Sequence, residues 1–93
     1  MSQFVSFNVT YDAGGDVLYI TSRIDPRTRM VEGDYGLVWR YGSGGDPIGV
    51  TVVDFREMWS ARPEELARQL ATRFDIPEPQ ALNVVEHALE DPS

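Results

Sequence analysis

A six-residue pattern, Tyr-x-x-Gly-Gly-Asp, is written twice in this chain, as Tyr11-Asp12-Ala13-Gly14-Gly15-Asp16 and as Tyr41-Gly42-Ser43-Gly44-Gly45-Asp46. Both copies are flanked by residues that alternate between apolar and polar, the period of a half-buried strand. Paired glycines supply the positive φ angles that tight loops need. Each copy therefore predicts the turn of a β-hairpin. Two hairpins fix much of the architecture and say almost nothing about chemistry.

From Phe4 to Tyr11 the residues Val5, Phe7, Val9 and Tyr11 point one way, and Ser6, Asn8 and Thr10 the other. Val17 to Thr21 forms the returning strand. A four-residue loop from Asp12 to Gly15 pairs Tyr11 with Asp16, Val9 with Leu18 and Phe7 with Ile20. The same arithmetic at the second hairpin pairs Tyr41 with Asp46, Trp39 with Ile48, Leu37 with Val50 and Tyr35 with Val52. Both registers collect the large apolar groups on one face, which a one-residue slip would scatter. Between the hairpins, Ile24 to Asp34 carries Pro26 and Gly33. It reads as a connection with room for a short strand around Met30-Val31. Pro47 sits at a strand start, where a residue without an N–H is tolerated.

From Met58 the period changes to that of a helix. Ser60 is placed to cap it, with Glu64 and Glu65 at its positive end. Leu66, Leu70 and Phe74, beside Ala67 and Ala71, form one apolar stripe. Asp75-Ile76-Pro77-Glu78-Pro79 breaks the helix, and Pro79 suits the first turn of the next. Leu82, Val85 and Leu89, beside Ala81 and Ala88, form a second stripe, and Asp91-Pro92-Ser93 ends it. The expected fold is α+β, a four-stranded, mostly antiparallel β-meander over residues 4–55 followed by two α-helices over 60–90. At 93 residues the chain makes a single domain, 1–93. A domain this small buries only about 60–65% of its unfolded surface. The second face of the sheet carries Val17, Tyr19, Val38, Val53 and Phe55, and one helical pair covers only one face. Apolar surface is thus left for self-association, and a homodimer is expected.

At its hairpins the chain resembles a small bacterial family known only as domain of unknown function 2283. Tyr11-Asp12-Ala13-Gly14-Gly15-Asp16-Val17-Leu18-Tyr19-Ile20 matches that family's Tyr-Asp-x-x-x-Asp-x-Leu-Tyr-Ile segment without gaps. Tyr41 to Val53 follows a second family segment more loosely. Gly42 stands where an acid is usual, and Thr51 replaces a glutamate. The resemblance covers about the first 55 residues, and the helices are an addition to it. It implies a small β-meander with no known activity. Since some relatives are encoded beside toxin genes, it also implies an antitoxin-like role.

The formal charge of −7 works against nucleic acid as a partner and suits a basic protein. All eight basic residues are arginine, so no lysine is present for Schiff-base chemistry. With no cysteine there is neither a disulfide framework nor a thiolate. No secretory signal precedes the first strand, and no apolar run nears the roughly 20 residues that span a bilayer. The default is a cytoplasmic protein without membrane contact. Asp12, Asp16 and Asp46 beside glycine read as turn chemistry rather than a calcium loop. Strands, not a helix N-terminus, follow the glycines, which argues against a phosphate cradle. His87, between Glu86 and Glu90, reads as part of a solvated helix face. Arg27, Arg29 and Arg40 read as local ion pairs. No catalytic set assembles and no cofactor or metal is expected. The leading reading is a non-enzymatic, homo-oligomeric interaction module, with Leu66, Leu70, Leu82, Val85 and Leu89 as its helical stripe. The alternative is a small-molecule binder that uses Tyr35, Trp39, Tyr41 and Trp59 as an aromatic groove.

Overall fold

Asp16 and Gly45, both in the left-handed backbone region, decide where the two hairpins turn (φ 56° and 87°). The computed structural model describes residues 7–90, so Phe4 to Ser6 and Asp91 to Ser93 lie outside the described residues. Five strands come first: β1 (Asn8–Asp12), β2 (Val17–Thr21), β3 (Arg29–Glu32), β4 (Leu37–Tyr41) and β5 (Pro47–Val53). Three helices follow: α1 (Phe55–Trp59), α2 (Pro63–Phe74) and α3 (Glu78–Glu90). The strands make one antiparallel sheet in the order β1-β2-β5-β4-β3.

The expected α+β fold is therefore present, with five strands in place of four. The extra strand is the short segment around Met30-Val31. A 3-10 turn at Asp34–Gly36 reverses the chain and lays Arg29–Glu32 along β4. The Gly33 N–H closes that turn on the Leu37 carbonyl (2.8 Å). The order is a Greek key rather than a simple meander. β3, β4 and β5 are joined by short turns, and a long connection from β2 lets β2 lie beside β5.

Both hairpins sit two residues away from the expected registers. Tyr11 faces Leu18 and Val9 faces Ile20, so the first loop is Ala13 to Asp16. In the second, Leu37 faces Val52 and Trp39 faces Val50. There the register shifts between Arg40 and Tyr41, leaving Ile48 as the extra residue of a bulge beside Pro47. The Ile48 carbonyl accepts from both the N–H and the hydroxyl of Ser22. An even offset preserves the faces, so Leu18, Ile20, Leu37, Trp39, Val50 and Val52 still share the core. Tyr35 does not pair with Val52. It lies in the 3-10 turn with a left-handed backbone (φ 61°) and is 58% exposed.

Helical structure begins earlier than the period change suggests. Asp54 takes a left-handed conformation that breaks the strand's alternation and sends Phe55 into the core, where it is fully buried. Phe55 is thus not on the second face of the sheet. Ser60 does not cap α2. It closes α1, its hydroxyl donating to the Arg56 carbonyl. α2 starts instead at Pro63, with Glu64 and Glu65 in its first turn. It ends at Asp75, left-handed, where the Ile76 N–H returns to Ala71 (3.1 Å). Pro79 lies in the first turn of α3. Leu66, Leu70 and Val85 pack with Phe55 and Trp59 onto the inner face of the chain's own sheet. Leu82 and Leu89 are half-buried at the margin of that core.

Candidate functional site

The aromatic residues are divided between core and surface. Trp39 and Trp59 are 1% and 3% exposed, and Phe74 meets the Trp39 ring edge-on at 5.7 Å. Tyr35 lies over Trp59 (centroids 5.9 Å apart), and the Trp59 indole N–H is buried with no hydrogen-bond partner among the described residues. Tyr41 is half-buried. Its hydroxyl accepts from Arg73, whose guanidinium also stands 5.0 Å over the Trp39 ring. Trp39 and Trp59 are packing residues, and no groove runs along the four aromatic positions among the described residues. Of the helical stripe, Leu66, Leu70 and Val85 are buried against the inner face of the sheet, whereas Leu82 and Leu89 stay half-buried at its margin.

The carboxylates of the two turns are engaged in structure. Asp16 accepts from the Tyr11 hydroxyl (2.7 Å) and from the N–H groups of Arg56 (2.9 Å) and Glu57 (3.2 Å). Its carbonyl takes the Phe55 N–H. Partial burial alone raises the Asp16 pKa, but those three donors together outweigh it and hold the carboxyl below its usual range. The same bond from Tyr11 to Asp16 holds the phenol above its ordinary value. Asp12 accepts from the Gly14 N–H, as a turn aspartate does.

Asp46 pairs with Arg23 through both oxygens (2.9 and 2.8 Å), and that guanidinium lowers its pKa. Asp25 accepts from the N–H groups of Ser43 and Arg27 and from the Ser43 hydroxyl, and is lowered in turn. Gly42 leaves room for this latch, because a Cβ there would stand 2.7 Å from Arg23 Nη2 and 3.1 Å from Asp25. Among the described residues Arg27, Arg29 and Arg40 do not form the expected ion pairs. Arg23 pairs with Asp25 and Asp46, Arg62 pairs with Glu65, and Arg40 donates to the Thr51 hydroxyl. No three acidic or histidine side chains gather to hold an ion among the described residues, and no helix there is long and apolar enough to cross a membrane.

Two further surfaces stand out among the described residues. The first is the outer face of the sheet, opposite the helices. Its middle row crosses all five strands as Thr10, Tyr19, Thr51, Val38 and Glu32. Val17 and Val53 stand paired beside Tyr19. Tyr19 and Val53 are 36% and 39% exposed. Val17, Tyr19, Val38 and Val53 make an apolar patch on this face, and the Arg40 guanidinium reaches Thr51 beside it. Alternation in the sequence already pointed to Val17, Tyr19, Val38 and Val53. The second surface is an open groove of about 450 Å³ where α3 runs beside β1. Sequence reading missed it, because it arises only when helix and edge strand, far apart in the chain, come together. Its one local signal was Glu86 and Glu90 on the same helix face. No protein-family model matches this chain, and neither a curated protein nor a solved structure matches it.

Proposed function

We propose that the protein is a non-enzymatic interaction module that pairs with a second copy of itself through the outer face of its sheet. One observation carries this reading: the apolar patch of that face, Val17, Tyr19, Val38 and Val53, which no helix covers among the described residues. Aromatic and β-branched side chains on a flat sheet are self-complementary, as in the facing sheets of a sandwich. The charges on the face border that patch: Asp12 lies across from Val17, Glu32 lies across from Val38, and Arg40 donates to Thr51.

The size of the face sets the strength. Five strands at about 4.8 Å spacing and five residues at about 3.3 Å rise give an area on the order of 400 Å². That is about half of the 800 Å² per partner of a standard interface. The dimer is accordingly weak and reversible, and the charge of −7 on each copy makes it stronger in salt. The resemblance at the hairpins supports a role in capturing a basic protein, antitoxin-like, for which the acidic surface is suited.

Sedimentation equilibrium from low to high micromolar concentration tests the pairing. The wild type is expected to pass from monomer to dimer over that range. Tyr19→Glu, which sets like charges together at the centre of the face, is expected to stay monomeric with unchanged circular dichroism. A wild type that is monomeric throughout, or a dimer indifferent to Tyr19→Glu, would refute the reading.

A further inference from the structure

We propose that the groove between β1 and α3 takes an extended segment of a basic partner protein, added as a strand to the free edge of β1. Arginine or lysine would stand at alternate positions of that segment. β1 ends the sheet, so its outward N–H and C=O groups face no strand among the described residues. An edge of this kind binds through the main chain, and the pockets beside it choose the side chains. Here the lining combines the apolar Phe7, Val9 and Val84 with the polar Asn83, Glu86, His87 and Glu90.

Glu86 and Glu90 are exposed and take no part in the ion pairs of the described residues. They stand four residues apart on one helix, where like charges repel. Their separation along the axis is about 6 Å. Alternate residues of a strand are about 6.6 Å apart. Along an added strand parallel to α3, two cations at alternate positions match the two carboxylates, and the apolar lining accepts their aliphatic stems.

Charge selects a foreign segment over a second copy. A two-fold pairing of β1 with β1 would bring two α3 helices side by side and set four glutamates against one another. β3, at the far edge, offers Arg29 and Val31, yet a copy docked by that edge brings its own charge of −7 and leaves an open, unclosed chain of subunits. A basic segment reduces the charge of the complex instead. This inference is independent of pairing through the outer face, which uses the opposite side of the sheet.

The test uses the full, isotope-labelled chain and a short capped peptide that alternates arginine and valine, followed by amide shifts. Saturable shifts are expected in residues 8–12 and 83–90. The double variant Glu86→Gln with Glu90→Gln is expected to bind about fivefold more weakly, two exposed charge pairs having been lost. Replacing the peptide's valines by proline, which removes ladder donors, is expected to abolish binding. Equal affinity for the glutamine variant, or shifts centred on Tyr19 or on β3, overturns the proposal. So does growth of the protein without peptide that Arg29→Glu abolishes, since that places a second copy in the groove.

Discussion

The two Tyr-x-x-Gly-Gly-Asp turns share a sequence and divide its labour differently. In the first, the left-handed position is filled by Asp16, and Gly15 has an ordinary backbone. In the second it is filled by Gly45, and Asp46 is free to reach Arg23. Tyr11 bonds to the aspartate of its own turn, whereas the Tyr41 hydroxyl is held by Arg73 from α2. The neighbours explain the difference. α1 passes over the first turn and presents backbone N–H groups to Asp16. The connection from β2 to β3 passes over the second and presents the Arg23 guanidinium to Asp46. A short motif specifies a turn, and what its polar side chains do is decided by the element that packs over it.

The largest test of that contrast is Phe55→Ala. Phe55 is fully buried, packs edge-on against Tyr11 at 5.8 Å and anchors α1 beside the first turn. Its removal is expected to lower stability by about 3–5 kcal/mol in urea unfolding. If α1 sets the chemistry of the first turn, the amide shifts of residues 12–17 move strongly and those of 42–46 stay close to wild type. Equal disturbance of both turns would mean that they are coupled through the core rather than governed by their separate neighbours.

A smaller test separates the two glycines that align in sequence. Gly45→Ala forces a left-handed backbone (φ 87°) on a residue with a Cβ and is expected to destabilise by about 1 kcal/mol. Gly15→Ala carries no such strain, and its Cβ would meet Asp12 and Val17 at ordinary distances (3.4 and 3.5 Å). It is expected to lie within about 0.5 kcal/mol of wild type. Paired thermal denaturation curves decide the matter, and a Gly15 variant as damaged as the Gly45 variant would show the turns to be alike after all.

These cases also show what could be read in advance. The faces of β1, β2, β4 and β5 were legible because alternation fixes them and an error of two residues leaves them intact. The outer-face residues Val17, Tyr19, Val38 and Val53 were legible for the same reason. β3 was only half visible, since all four of its residues are exposed and an edge strand buries too little to show a period. α1 was hidden by Asp54. The run Val52-Val53-Asp54-Phe55 continues the strand's alternation on paper, yet the left-handed turn at Asp54 resets it. The spacing of Phe55 and Trp59, four residues apart and both buried, was the helical signal available there. The groove beside β1 had no such signal, because no local pattern records which strand a helix will border.

The smallest expected effect, the response to acid, distinguishes the turns by mechanism. The carboxyls of Asp16, Asp25 and Asp46 all titrate below their ordinary range in the folded chain. Such a group stabilises the fold fully above its unfolded pKa, near 4, and that contribution disappears as pH falls through the lower folded value. Midpoints of urea unfolding are therefore expected to drop as pH is lowered below about 4. Asp16→Asn and Asp46→Asn should each flatten part of that fall. Salt then separates them. Asp46 owes its shift first to the exposed Arg23 guanidinium, an interaction that ions screen. Asp16 owes its lowering first to short-range donors, the Arg56 and Glu57 N–H groups and the Tyr11 hydroxyl, which salt leaves in place, and least to the Arg56 charge. At high ionic strength the difference between wild type and Asp46→Asn should shrink, while that between wild type and Asp16→Asn persists. If both shrink together, Asp16 answers to charge as Asp46 does, and the contrast between a turn held by a helix and a turn held by an ion pair is lost.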